Sequence, residues 1–288
     1  MFLSKHATPA GKRWALNGKL LPETFTLKSV LVLKASEIEA YLKSLAVGER
    51  TDAPTIAPIE SLQEVWACGV TYLRSRDARK EESSVKDVYQ KVYEAERPEI
   101  FFKSNGWRAV GSGEHIRIRA DSAWNVPEPE MTLVVNAHGE IVGYTAGNDV
   151  SSRDIEGENP LYLPQAKVYN GSCALGSAIH LCEAVLLRDL PVQLEIRRAI
   201  GEVKGVAIDA TIGAAKSDVI FSGETRTSQM KRTPEELVHY LYKEMSFPQG
   251  CFVMTGTGIV PGSDFTLRSG DVVNITVGEV SLSNTVGK

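Results

Sequence analysis

From residue 64 onward the chain is written mostly in short apolar or alternating segments, and that rhythm limits the folds open to it. Segments 64–70, 116–120, 131–136, 141–146, 193–200, 206–212 and 272–277 are β-branched or alternate apolar with polar residues, the period of a strand. Gly201 marks a turn between two of them. Helical patterns are fewer. Ser36-Glu37-Ile38-Glu39 has the form of a capping box opening a helix through Leu45. Thr233-Pro234-Glu235-Glu236 repeats the form with proline at the first helical position, opening a helix through about Met245. Within 79–96, Val85, Val88, Tyr89, Val92 and Tyr93 recur at helical spacing opposite a charged face. Many strands with few helices favour a closed or rolled mixed sheet, an α+β chain rich in β, over a doubly wound α/β fold. Residues 1–58 read as a small N-terminal domain, with the proline-punctuated stretch 52–58 as a linker. Residues 59–288 form the main domain.

The chain of 288 residues is long enough to bury a sizeable core. A formal net charge of -4 gives no nucleic-acid footprint and no basic patch for a membrane. No apolar run approaches the roughly 20 residues that span a bilayer. Met1-Phe2-Leu3-Ser4-Lys5-His6 lacks the apolar core of a signal peptide. Cys68, Cys173, Cys182 and Cys251 are widely spaced without a CxxC pair, the pattern of reduced, buried thiols in a cytoplasmic protein. The five histidines, His6, His115, His138, His180 and His239, show no ligand spacing.

The chemistry is concentrated in carboxylates. Glu128 and Glu130 lie in Pro127-Glu128-Pro129-Glu130. At i and i+2 of an extended segment they point to one face. Two carboxylates so close repel, and one stays protonated unless a cation sits between them. Mg²⁺ or Mn²⁺ suits such an all-oxygen environment. If 131–136 is a strand, 137–140 a turn with His138 in it, and 141–146 the returning strand, Asp149 comes back beside them as a third ligand. The plainer reading, a solvated acidic strand edge, stays open on spacing alone.

Five stretches together resemble the fumarylacetoacetate hydrolase family. They are Gly69-Val70-Thr71-Tyr72, Arg97-Pro98-Glu99-Ile100-Phe101-Phe102-Lys103, Pro127-Glu128-Pro129-Glu130, Gly147-Asn148-Asp149-Val150-Ser151-Ser152-Arg153-Asp154 and Thr255-Gly256-Thr257-Gly258. The likeness runs from about Leu62 to the C-terminus. Leu163-Pro164-Gln165-Ala166-Lys167-Val168-Tyr169-Asn170 resembles the family's sugar-acid branch, which contains 2-keto-3-deoxy-D-arabinonate dehydratases. The resemblance implies a β-roll catalytic domain with a smaller N-terminal domain, a dimer or tetramer, and Mg²⁺ held by Glu128, Glu130 and Asp149. It also implies that Glu99 and Lys167 are the acid–base residues. On their own, Glu99 can equally pair with Lys103 or Arg97, and Lys167 can be a surface charge. Buried among apolar neighbours, Lys167 would have a lowered pKa.

One departure from the family bears on the reaction. The carbon–carbon hydrolases of the family carry Gly-Leu-Asn-Tyr-x-x-His-Ala, whose histidine helps activate water. Here Ser75 stands at the histidine position, and a serine takes no proton near neutral pH without its own base. That argues against acylpyruvate-type hydrolysis and for chemistry that needs no activated water, and with the resemblance to the sugar-acid branch it implies loss of water from a 2-keto-3-deoxypentonate, giving 2,5-dioxopentanoate, with Lys167 on the C3 proton and Glu99 on the C4 hydroxyl, or the reverse. Arg74, Arg76 and Arg153 are candidates for the substrate carboxylate or hydroxyls. Thr71 belongs to the site by resemblance, Ser75 occupies the histidine position, and Thr255 opens a glycine-rich stretch able to offer amides and a hydroxyl. The helix expected in 79–96 can cover the pocket or simply pack on the core. Two alternatives remain: a hydrolase of a 2,4-diketo acid with Glu99 activating water, and a catalytically silent metal-binding protein on the same fold.

Overall fold

A computed structural model describes residues 1–82, 86–200 and 217–287. The expected strand at 206–212, its turn at Gly201, and Val85 lie outside these residues. The chain opens with β1 (Phe2–Thr8), β2 (Gly11–Leu16) and β3 (Lys19–Leu20), followed by α1 (Leu27–Leu31), α2 (Ala35–Ser44) and β4 (Thr55–Ile56). Next come β5 (Glu64–Gly69), α3 (Leu73–Glu82), α4 (Lys86–Glu94), β6 (Glu99–Asn105), β7 (His115–Ile116) and β8 (Asn125–Val126). The centre holds β9 (Pro129–Val135), β10 (Ile141–Asp149), β11 (Ser151–Ser152), α5 (Arg153–Glu158), α6 (Leu163–Lys167), β12 (Cys173–Leu175) and β13 (Ile179–Leu181). The chain finishes with β14 (Pro191–Ala199), β15 (Ser217–Arg226), α7 (Pro234–Tyr242), β16 (Cys251–Met254), β17 (Val272–Val277) and β18 (Val280–Val286).

Among the described residues an eleven-stranded sheet runs in the order β3-β2-β1-β13-β10-β9-β16-β5-β6, with β12 beside β10 and β4 beside β1. A five-stranded sheet runs β15-β14-β17-β18-β7. Both are mixed: β16 pairs parallel with β5, and β18 with β7. The β-rich mixed architecture expected from the strand rhythm is therefore present, as an open path of strands. The N-terminal hairpin joins the large sheet through β1 and β13. Strand β9 is buried along its whole length. Met131, Leu133 and Val135 pack with β14, β17, β18 and α7 in one apolar cluster, while Val134 packs with α1, α2 and the N-terminal strands in another. Cover on both faces is why this segment reads as a continuous apolar run.

Three elements differ from expectation. Segment 116–120 contributes only the end of β7, because after Ile116 the Arg117 N–H turns to the carbonyl of Gly171. Helix α2 begins at Ala35, so Ser36 lies inside it. Glu37 accepts from the Lys34 N–H at 3.0 Å, and Glu140 from the β9–β10 turn accepts from the Ala35 N–H at 2.7 Å; a tertiary partner does part of the capping. The single helix expected in 79–96 is divided: Arg79 belongs to α3, and Tyr89, which is buried, to α4. Helix α7 starts as read, with the Thr233 hydroxyl accepting from the Glu236 N–H at 3.1 Å, and ends at Tyr242.

Candidate active site

The β9–β10 hairpin builds the centre of the site. At its tip the Asn136 side-chain oxygen accepts from the N–H groups of His138 and Glu140, and Gly139 takes φ +76°, a left-handed conformation that glycine adopts freely. The register then sets Glu130 opposite Gly147, and the Asp149 N–H donates to the Glu128 carbonyl at 3.0 Å. Glu128, Glu130 and Asp149 are all buried, and each offers an oxygen within 4.8 Å of the others. Three converging buried carboxylates form a hard, all-oxygen donor set, the kind that fits Mg²⁺ or Mn²⁺.

These carboxylates are not equivalent. Glu128 Oε1 accepts from Arg79 and from Arg153, each at 2.7 Å, and Oε2 from Lys167 Nζ at 2.5 Å. Burial alone would raise its pKa, but the three cations outweigh burial and hold it well below the usual carboxylate range. Among the described residues Glu130 receives only the Gly256 N–H, at 2.6 Å. Burial, then the Asp149 and Glu128 carboxylates, push it well above that range. Lys167 corrects a sequence expectation. It is buried, and burial by itself would strip its proton. Asp149 at 3.0 Å and Glu128 at 2.5 Å reverse the sign, so its pKa is raised and the side chain is an ammonium.

Glu99 heads β6, opposite Gly69 of β5. Burial, then the Glu156 carboxylate, push its pKa up to about 7 against the opposing Arg79 and Lys167. Its carboxyl occupies space that exists only because residue 69 lacks a side chain: a Cβ there would sit 2.0 Å from Glu99 Oε2. The next residue, Val70, takes φ +54°, a conformation that for a β-branched side chain costs roughly 1–3 kcal/mol and gathers at functional sites. Gly69→Ala is accordingly expected to fold, displace Glu99 and lower kcat at least about tenfold, the scale of displacing a proton-transfer group; unchanged kcat with a crystal structure showing Glu99 in place would refute the packing argument.

A small, partly open pocket gives onto these groups. Ser75 and Arg79 of α3 line it, with Phe101, Glu156, Leu163 and Thr257, so α3 supplies cover over the site. The other sequence candidates fall in two sets. Ser75 is buried in the wall, and Arg153 is buried against Glu128. Thr71 donates to the Thr255 carbonyl at 2.6 Å, and the Thr255 hydroxyl donates to the Met131 carbonyl at 2.8 Å; neither lines the cavity. Arg74 is exposed outside it, and Arg76 pairs with Asp77 and stacks on Tyr93. Sequence reasoning passed over Arg79 and Glu156, and within Thr255-Gly256-Thr257-Gly258 it singled out Thr255 where Thr257 lines the cavity. Arg79 donates to both Glu128 and Glu156 at 2.7 Å; its place on the charged side of a helical pattern hid it.

The fold and this site define a β-rich protein with a buried three-carboxylate centre flanked by a carboxyl titrating near neutrality and an ammonium. The model for "Fumarylacetoacetate (FAA) hydrolase C-terminal" matches residues 64–287, and the chain belongs to the fumarylacetoacetate hydrolase family. It is 45% identical over 236 residues to a probable 2-keto-3-deoxyxylonate dehydratase of Haloferax volcanii, covering 82% of this chain and 75% of that one. It is 39% identical over 248 residues to the 2-dehydro-3-deoxy-D-arabinonate dehydratase of Saccharolobus solfataricus, covering 85% and 76%. A solved structure of 2-keto-3-deoxy-D-arabinonate dehydratase, complexed with magnesium and 2,5-dioxopentanoate, superimposes with a TM-score of 0.79 at 33% identity over 100% of this chain and 99% of that one.

Proposed function

We propose that the protein is a magnesium-dependent dehydratase that converts a 2-keto-3-deoxypentonate, such as 2-dehydro-3-deoxy-D-arabinonate, to 2,5-dioxopentanoate in the breakdown of pentose acids. The observation that carries the reading is the meeting of Glu99 and Lys167 with the Glu128–Glu130–Asp149 centre in one cavity where Ser75 replaces a water-activating histidine. The relatives' names support the substrate class. Both names fit one compound, since removing the C2 and C3 centres leaves C4 as the stereocentre shared by pentonates of one series. Magnesium, held by Glu128, Glu130 and Asp149, supplies Lewis-acid polarisation of the 2-keto acid and so acidifies C3.

The chain's own groups divide the proton work. Glu99, ionised above its pKa of about 7, takes a C3 proton. Lys167, held as an ammonium, donates to the departing C4 hydroxyl, which reverses the roles first assigned from sequence. Water leaves as the C4 hydroxyl with the proton of Lys167, and the proton Glu99 took from C3 makes good that loss, so the net removal is one hydrogen from C3 and the hydroxyl from C4. Tautomerisation then moves a proton from C5 to C3 and a second from the C5 hydroxyl to C4, giving the C5 aldehyde. A carboxyl that both takes and returns a proton near neutrality suits that exchange. Of the substrate-binding set read from sequence (Thr71, Arg74, Ser75, Arg153 and Thr255), Ser75 is the direct contact and Thr71 and Thr255 act through the Gly256 loop, while Arg153, with Arg79, holds Glu128 in place and Arg74 lies exposed outside the cavity. The family match over 64–287 supports a catalytic domain from residue 59 with 1–58 as an added N-terminal domain. A cytoplasmic location, read from the widely spaced cysteines, and a dimer or tetramer, implied by the family resemblance, complete the proposal; no described helix is long and apolar enough to cross a membrane.

The test is turnover of 2-keto-3-deoxy-D-arabinonate with products read by mass. A product lighter by one water, abolished by chelator and restored by Mg²⁺, is the expected result. Absence of that product, with pyruvate released from a 2,4-diketo-3-deoxy acid instead, would move the protein to the hydrolases.

A further inference from the structure

Lys103 is the most completely enclosed cation of the described chain: its side chain is 0% exposed. A charge removed from water survives only if it is paired, and here one ion pair and two hydrogen bonds to carbonyls do so. Nζ meets Asp149 Oδ1 at 2.5 Å, the Lys167 carbonyl at 2.5 Å and the Val150 carbonyl at 3.2 Å. The backbone explains how a strand lysine gets there. In the β5–β6 ladder Val65 pairs with Ser104 and Trp66 with Phe102, so Lys103 is the extra residue of a β-bulge. Bulges near sites serve to re-aim a side chain. The same strand presents Glu99 and Phe101 to the cavity at the alternate positions before it.

We infer that Lys103 is the positioning residue of the site: its ammonium fixes which Asp149 oxygen faces the metal and anchors the end of α6 that carries Lys167. With Oδ1 in the ion pair to Lys103, Oδ2 is the oxygen that meets Lys167, a residue lining the cavity, at 3.0 Å. Accepting from Lys103, the Lys167 carbonyl is one of those left without a helical partner at the end of α6; the Ser172 hydroxyl also donates to it at 2.8 Å. One side chain thus ties β6, the end of β10 and α6 together. Outer partners of a ligating carboxylate set its orientation and affinity, and their loss typically weakens metal binding about 10–100-fold. Lys103 touches no reacting atom.

The inference rests on the metal reading, and manganese alone is the probe that separates the two. Wild type and Lys103→Met are titrated with Mn²⁺ by electron paramagnetic resonance, with thermal unfolding measured in parallel. A Kd about tenfold or more weaker in the folded variant, with kcat reduced at saturating Mn²⁺, is expected. Equal Kd and kcat would overturn the role of Lys103 while leaving the metal reading intact; no Mn²⁺ binding by wild type would overturn both. If Lys103→Met does not fold, wild-type crystals grown with Mn²⁺ decide. Lys103 Nζ on an Asp149 oxygen, with the other oxygen on the ion, supports the inference, and both Asp149 oxygens on the ion overturn it.

Discussion

Glu130→Gln is expected to melt no lower than wild type in chelator above neutral pH, yet to bind Mg²⁺ too weakly to be stabilised by it and to turn over roughly 10³-fold more slowly, the several kcal/mol a Lewis-acid metal supplies. The argument starts from the unequal carboxylates. Glu130 has its pKa raised by burial and by Asp149 and Glu128, and among the described residues accepts only from the Gly256 N–H. Without metal its favoured form is the neutral acid, which glutamine copies, keeping a carbonyl for Gly256. The sign follows from linkage. A folded pKa above the unfolded value means that the native state binds the extra proton, so stability falls as pH rises from about 4.5 toward the folded value. Wild type in chelator should lose melting temperature over that window, and the glutamine variant should lose less. Added Mg²⁺ restores wild type by about 2.7 kcal/mol at a hundred times its Kd and leaves the variant nearly unmoved. Glu128→Gln asks a different question. It removes the counter-charge shared by Arg79, Arg153 and Lys167, a change of roughly 3–5 kcal/mol, so its activity loss would be mixed with instability. A Glu130→Gln protein that still showed Mg²⁺ stabilisation equal to wild type would remove Glu130 from the ligand set.

The difference between those two glutamates also shows what the sequence can and cannot reveal. The hairpin was legible because period and turn chemistry are local: Met131 to Val135, the Asn136–Gly139 turn and the return to Asp149 are fixed by residues near one another. That hairpin allowed the three carboxylates to meet, although spacing alone left a solvated strand edge equally open and the family resemblance made the choice. The cations around them were not legible, because Arg79 lies 49 positions from Glu128 and nothing in a charged helical face marks the residue that turns inward. The same blindness gave Lys167 the wrong sign. Its apolar neighbours in sequence argued for a lowered pKa, whereas Asp149 and Glu128, neighbours only in space, raise it. Val70 illustrates a third kind of miss: a β-branched residue predicts strand, and its positive φ is imposed by the turn out of β5 beneath the cavity. Segment 116–120 failed for the opposite reason, a good local pattern whose backbone partners lie in the loop at Gly171.

Glu99→Gln is expected to lose about 10²–10⁴-fold in kcat, the usual worth of a positioned acid–base group, while holding Mg²⁺ as wild type does. Wild-type kcat/KM should rise with pH along a limb whose apparent pKa is at or below 7, because a bound cation favours the ionised carboxyl relative to the value of about 7 set by burial and Glu156. The direction is fixed by the proposed role: protonating Glu99 at lower pH removes the base, so the rate falls as pH falls, and the glutamine variant should lose that limb. Exchange of the C3 hydrogens with deuterated solvent separates Glu99 from Lys167. With Glu99 as base, Glu99→Gln slows exchange and dehydration together. Lys167→Met, assayed at saturating Mg²⁺ so that Glu128 and Asp149 keep a cation, should still exchange C3 hydrogens but fail to expel the C4 hydroxyl. The reverse pattern, exchange kept without Glu99 and lost without Lys167, would restore the lysine as base and require that the hold of Asp149 and Glu128 on its proton be released in the working enzyme.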